Sequence, residues 1–281
     1  MKKEYETTMK KTLSLLALAL TVLITFAACG NGEQTGGDGL SGRVSLNGST
    51  STERVIASLI EAFREEHPGV TLTFDATGSG AGITSATEGT ADIGLSSRHL
   101  RDGEDGVDAI VFAIDGLAVI VHPDNPVSDL STEQIAAIYT GAVTNWSEVG
   151  GEDAPIAVIG REAGSGSRGA FDDIMGIEDE VRHDQELTSG GAVITAVATN
   201  PFAIGYSSLS AVGDTVRVVA VNGIACTEAT LLDGSYPVQR PFILMTQLGT
   251  APSEAAQAFI DFVLSPAATE IISDAGVVQM R

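Results

Sequence analysis

The chain has 281 residues, 43% of them hydrophobic and 19% charged, with a formal charge of −22. That composition belongs to a globular protein rather than a disordered one, and the length suffices for one large domain or two of ordinary size. A chain this acidic offers no basic face, which excludes nucleic acid as a partner.

Residues 13–24 form an apolar run too short and too abruptly ended for a transmembrane span. It closes on Thr-Phe-Ala-Ala-Cys-Gly at residues 25–30, small side chains directly before a cysteine. Residues 1–28 are therefore expected to be an export signal. The arrangement resembles a bacterial lipobox, with Phe26 where such boxes usually carry Leu. That resemblance implies lipidation of Cys29 (palmitate among its acyl groups) and two acyl chains, enough for stable membrane attachment. Glu4 and Glu6 sit in a region that is normally positive, and a start at Met9 would remove both. Without residues 1–28 the chain keeps 11 basic and 35 acidic residues, a charge of −24. Cys226 would then be a lone thiol, read as a buried one.

Residues 29–41 have no apolar pattern and read as a flexible tether. From Arg43 onward strands and helices alternate, the pattern of an α/β fold with mostly parallel strands. A strand at 43–46 leads through Asn-Gly-Ser-Thr-Ser into a helix over 52–66. There Val55, Ile56, Leu59, Ile60 and Phe63 recur at helical spacing, and His-Pro-Gly stops the helix. A strand at 70–75 runs into Thr-Gly-Ser-Gly-Ala-Gly and a short helix to Glu88. A strand at 93–95 ends in Ser96, Ser97 and Arg98. Residues 107–113 and 117–122 read as two strands, and the Pro-rich break at 123–126 marks a crossing into a second lobe. A helix over 131–139 carries a capping box from Ser131 or Thr132, and the loop after it holds the single tryptophan. A strand at 156–159 ends at Gly160, followed by Arg161, a Gly-Ser turn and a helix over 168–175. A helix over 191–199 and strands at 203–207 and 216–221 follow. Residues 235–242 read as a return crossing and 243–245 as a strand, and helices over 253–264 and 266–275 close the chain. The expected division is 42–117 with 243–281 as one lobe and 118–242 as the other.

The stretch 159–171 gathers a cation, two hydroxyls and several amides at one helix start. Such starts carry unpaired N–H donors and partial positive charge, which suits a small tetrahedral anion. Arg161 adds a charge-assisted fork. An ordinary strand–turn–helix corner is the competing reading, since Gly and Ser are common turn residues. Thr50, Ser79 and Ser165 decorate three such corners, and in open α/β sheets ligands sit beyond the carboxyl ends of strands. An anion site in so acidic a chain has to be built from local donors. No Gly-x-Ser-x-Gly elbow, Gly-Lys-Ser/Thr loop or Cys/His cluster occurs, and the four histidines show no motif spacing. Neither catalysis nor a cofactor nor a metal is expected.

In order along the chain, five segments carry a family resemblance. They are Gly-Ser-Thr-Ser at 48–51, Thr-Gly-Ser-Gly-Ala-Gly at 77–82, the run ending Gly-Leu-Ser-Ser-Arg at 98, Tyr-Thr-Gly…Thr-Asn-Trp at 139–146, and Arg-Glu-Ala-Gly-Ser-Gly-Ser-Arg at 161–168. Together they resemble the phosphate-binding lipoproteins of bacterial phosphate ABC importers, over nearly the whole chain after residue 28. The resemblance implies a type 2 periplasmic-binding-protein fold: two α/β lobes, mixed and mostly parallel sheets with helices on both faces, and a ligand cleft between lobes joined by crossing strands. It implies extracytoplasmic capture of inorganic phosphate and delivery to an ABC permease and its ATPase, by a monomer lipid-anchored at the outer face of the cell membrane. By position it makes Thr50, Ser51, Ser79, Ser97, Arg161, Ser165, Gly166 and Ser167 the phosphate ligands, with Ser49, Asp92 and Arg98 as secondary candidates. For Asp92 a structural turn role is favoured, and for Arg98 an outward or salt-bridged side chain. Well-known members carry Asp where this chain has Ser97, which leaves the basis of sulfate rejection open. Alternatives are a binding protein for sulfate, molybdate or a small organic anion, a hydrolase, and an adhesin or sensor.

Overall fold

A computed structural model describes residues 39–178 and 180–280. The export signal, Cys29 and the tether up to residue 38 lie outside the described residues.

The first strand, β1 (Ser41–Gly48), begins two residues earlier than its apolar pattern suggests, because Ser41 pairs with Gly69 of β2 (Gly69–Ala76). Between them a 3₁₀ turn (Thr50–Thr52) leads into α1 (Glu53–Glu66), which buries the expected stripe of Val55, Ile56, Leu59, Ile60 and Phe63. Next come α2 (Ser79–Glu88), β3 (Ile93–Ser96) and β4 (Val107–Val121). The second half holds β5 (Asp129–Leu130), α3 (Thr132–Thr140), β6 (Ala157–Arg161), α4 (Gly166–Met175), β7 (Gln185–Leu187) and α5 (Gly190–Ala198). It continues with β8 (Ala203–Ser208), β9 (Arg217–Val221) and α6 (Glu228–Leu232). The chain then returns through β10 (Gln239–Gln247) to α7 (Glu254–Leu264), α8 (Thr269–Asp274) and β11 (Val278–Gln279).

The main sheet path runs β2-β1-β3-β10-β4-β8-β6-β7, with β9 and β11 also paired to β4 and β5 to β9. Pairing is parallel at both flanks and antiparallel at the centre, where β10 lies against β4 from Gln239↔Gly116 to Gln247↔Val107. Strand β4 is one element where the sequence suggested two. Residues 114–116 stay extended because β10 pairs with them, and Gly116 is required there: a Cβ would stand 2.5 Å from Cys226 Sγ.

Among the described residues two large hydrophobic cores flank this central ribbon, with a small third cluster around Ile83 and Met245. One collects Val44, Leu46, the α1 stripe, Phe112, Phe242 and Phe259, with residues from 44–113 and 242–277. The other collects residues 117–121, Tyr139, Trp146, Phe171, Tyr206 and Tyr236. In the second core Phe171 stacks on Tyr206 at 4.1 Å, and the Trp146 indole donates to Phe202 O at 2.9 Å. The capping box of α3 belongs to Ser131 with Gln134.

Helix α2 packs unusually close to the strands that frame the candidate site. A Cβ on Gly82 would meet Leu95 O at 2.6 Å and Gly48 Cα at 2.7 Å. Gly82→Ala improves intrinsic helix propensity by about 1 kcal/mol. It should nonetheless lower stability by about 1–3 kcal/mol in urea or thermal unfolding, because backbone cannot yield as a side chain would; a stabilised variant would refute the close packing.

Candidate functional site

The carboxyl ends of four strands converge on one seam. Strand β1 delivers Ser49 to Ser51, β2 delivers Ser79 at the start of α2, β3 delivers Ser97, and β6 delivers Arg161 and the turn into α4. This is where an open α/β sheet leaves a crevice. Gly48 makes the approach possible: at φ +145° its Cα packs on Leu95, and its carbonyl accepts from Thr77 N and Gly78 N at 2.9 and 2.8 Å.

Ser97 is the hub. Its Oγ accepts from Ser49 Oγ at 2.8 Å, and its amide donates to Ser79 Oγ at 3.0 Å. Gly166 sits directly over this pair, since any Cβ there would overlap Ser79 Oγ. Ser51 and Ser167 hydroxyls meet at 2.8 Å across the seam, Gly80 N donates to Gly164 O at 3.2 Å, and Arg161 Nη2 donates to Thr50 Oγ1 at 3.2 Å. Ser165 caps α4, its Oγ accepting from Arg168 N at 3.3 Å. The amides of Gly166 and Ser167 therefore begin the helix without an intrahelical partner. The structure thus brings Ser49, Thr50, Ser51, Ser79, Ser97, Arg161, Ser165, Gly166 and Ser167 together.

Arg161 is 1% exposed and held from one side. Its Nε donates to Leu187 O at 3.0 Å, and Nη2 donates to Glu162 Oε1 at 2.9 Å and Thr188 O at 3.1 Å. Its Nη1 is buried with no hydrogen-bond partner among the described residues. A buried charged donor without an acceptor is costly, and an anion among the surrounding hydroxyls and amides is the acceptor that fits it.

Sequence reasoning missed a second guanidinium. Arg240 on β10 donates from Nη1 to Ser167 Oγ at 2.7 Å and to Ser97 Oγ at 3.2 Å. Its Nε and Nη2 grip Asp115 Oδ2 at 3.0 and 2.9 Å, while Ser208 donates to Asp115 Oδ1 at 2.7 Å. Burial pushes the Asp115 carboxyl above its usual range and Arg240 opposes that; burial likewise pulls Arg240 down, with Asp115 opposing. The available signal was one charge interrupting each of two apolar runs, Asp115 in 109–121 and Arg240 in 236–245.

Two secondary candidates lie elsewhere. The Asp92 carboxylate accepts from Ser45 N and Ser45 Oγ, both at 2.7 Å, at the opposite end of β3 from Ser97. Arg98 is spent on Glu104 through two hydrogen bonds of 2.7 Å, which hold the Glu104 carboxyl below its usual range. Asp92 ties the turn before β3 to β1, and Arg98 braces the loop between β3 and β4.

The fold agrees with comparisons to known proteins. A family model described as a PBP superfamily domain matches residues 33–267. The phosphate-binding protein PstS of Bacillus subtilis (strain 168) is 30% identical over 246 residues, 82% of this chain and 81% of that protein. A Clostridium perfringens protein crystallised with bound phosphate, described as a phosphate ABC transporter substrate-binding protein, superposes with a TM-score of 0.83 at 40% identity, over 85% of this chain and 100% of that one. An ABC-type phosphate transport receptor from Vibrio cholerae gives a TM-score of 0.72 at 33% identity, over 85% and 100%. The chain is an α/β binding protein of the PBP superfamily, with the expected type 2 fold. Within that superfamily it belongs to the family of phosphate-binding proteins PstS.

Two predictions come from the buried charges. Arg240→Met leaves Asp115 uncompensated and should cost about 3–5 kcal/mol in chemical denaturation, whereas adding Asp115→Asn should recover much of the loss. No recovery in the double variant would break the assigned coupling. Asp172 on α4 has a buried Oδ1 with no hydrogen-bond partner among the described residues, and burial raises its pKa from 3.8 to about 7 against the pull of Arg168. The folded state therefore keeps a proton that the unfolded state gives up, so stability should fall as pH rises from about 4 to about 7. Asp172→Asn should flatten that slope in melts taken across the window; an unchanged slope would assign it to another group.

Proposed function

We propose that this protein captures inorganic phosphate at the serine seam and hands it to an ABC permease powered by an ATPase subunit. The observation that carries the reading is Arg161 Nη1, buried and without a partner among the described residues, beside three helix starts lined with hydroxyls. Thr50, Ser51, Ser79 and Ser97 supply donors from one side, and Arg161, Gly166 and Ser167 from the other, with Ser49, Ser165 and Arg240 holding them in place. The same proposal takes residues 42–117 with 243–281 as one lobe and 118–242 as the second, with β4 and β10 as the strands that cross between them. Contacts such as Ser51–Ser167 and Thr50–Arg161 span the two and favour a closed form, and a ligand drives closure only through contacts to both lobes. The apolar run ending at Cys29 supports export and lipid anchoring on the outer face of the cell membrane.

Discrimination against sulfate has a specific weakness here. Ser97 Oγ already accepts from Ser49 and Arg240, and both Asp115 oxygens are engaged by Arg240 and Ser208. Among the described residues no hydroxyl of the seam is bonded to a carboxylate that would accept the proton phosphate keeps at neutral pH. Rejection of sulfate should then fall short of the roughly 10⁴–10⁵ reached where a site hydrogen-bonds a distinguishing group.

Calorimetric titration of the chain from about residue 31 with phosphate, arsenate, sulfate and molybdate tests the reading. Phosphate should bind tightest, and Arg161→Ala should weaken it by about 100-fold, since a buried charge-assisted contact of about 3 kcal/mol is lost. Sulfate or molybdate binding as tightly as phosphate, or an unaffected Arg161→Ala, would overturn it.

A further inference from the structure

Beside the serine seam lies a separate cavity of about 380 Å³, lined by Thr50, Glu53, Arg54, Ala57, Gly190 and Ser207 among others. Thr50 and Ser51 line the cavity and also bond Arg161 and Ser167, so it adjoins the anion cluster. Arg161 itself is not among its lining residues.

The cavity has its own polar equipment. Helix α5 (nine residues) starts there, with Ser189 Oγ accepting from Ala192 N at 3.1 Å and the amides of Gly190 and Gly191 left without an intrahelical partner. Independently, Ser207 is 1% exposed and its Oγ has no hydrogen-bond partner among the described residues. Gly190 leaves room for that hydroxyl, since a Cβ there would stand 2.7 Å from it. At the exposed rim Arg54 donates to Ser210 O at 2.6 Å, and Glu53 stands beside it as an acceptor. Ala57 and Ala211 give small apolar walls. A second phosphoryl group would meet the Glu53 carboxylate and carbon surface as well as the donors, whereas a short polyol can use donors, acceptor and carbon together.

Building on the phosphate reading, we propose that this cavity is a subsite for the tail of a phosphate monoester with a short hydroxylated chain, its phosphoryl group seated at Arg161. The tail's hydroxyls bond Ser207 Oγ and the α5 amides, and its carbons pack on Ala57 and Ala211.

Calorimetry of the full binding domain with inorganic phosphate, glycerol 3-phosphate and pyrophosphate is the test, on wild type, Ser207→Ala and Ala57→Trp. Wild type should bind phosphate and glycerol 3-phosphate. Ser207→Ala should weaken glycerol 3-phosphate by about tenfold, the loss of one buried hydrogen bond. Ala57→Trp fills the cavity from an exposed helix position, and should weaken glycerol 3-phosphate at least as much while leaving inorganic phosphate within about twofold. Phosphate binding without glycerol 3-phosphate binding overturns the subsite alone, as does glycerol 3-phosphate affinity unchanged in both variants. Pyrophosphate bound in place of glycerol 3-phosphate overturns the polyol assignment. Failure of phosphate itself overturns the proposed function and the subsite together.

Discussion

The Arg240–Asp115 pair is the interaction on which the rest of the site depends. Asp115 lies on β4 and Arg240 opposite it on β10, so the pair sits on the antiparallel ribbon between the two cores. One face of the guanidinium fork is committed to Asp115, and the remaining nitrogen reaches Ser97 and Ser167, which come from different parts of the chain. Ion pairs this deep add little net stability, because desolvation consumes most of the attraction. What the pair provides is geometry: it fixes where the hydroxyls of the two sides stand relative to each other.

That arrangement explains how a protein of charge −22 holds an anion. The long-range field opposes the ligand, so attraction has to come from groups close enough, and buried enough, to escape screening. Two guanidinium groups, each balanced by its own carboxylate (Glu162 for Arg161, Asp115 for Arg240), keep the net charge of the seam near neutral. Each still directs N–H bonds inward. Local donors outweigh global charge because they act over a few ångströms from buried positions. Selectivity follows from the same design, since a seam built almost wholly of donors reads the shape and charge of an oxyanion better than its proton.

Much of the architecture was legible from spacing alone. The α1 stripe, the turn chemistry of 48–51, 77–82 and 161–168, and the cap at Ser131 are local patterns, and local patterns survive being read without a fold. Where the reading stopped short, a distant partner decided the outcome. Residues 114–116 extend because β10 pairs with them, β1 starts at Ser41 because β2 is beside it, and β7 exists because β6 supplies its hydrogen bonds. Asp92 and Arg98 stand in ligand-like segments, and Ser45 and Glu104 give them the structural roles favoured for both.

The sequence by itself determined the strand–turn–helix corners, the residue types that line them and the kind of ligand they suit, because caps, glycine turns and helix-start donors are set by residues within a few positions of one another. Only the tertiary structure decided that the corners share one seam, that Arg240 stands behind it, and that Arg161 keeps one nitrogen unpaired. Those facts join residues such as 97, 167 and 240, which no local pattern relates, and contact between them arises only when the sheet brings β3, α4 and β10 to one place.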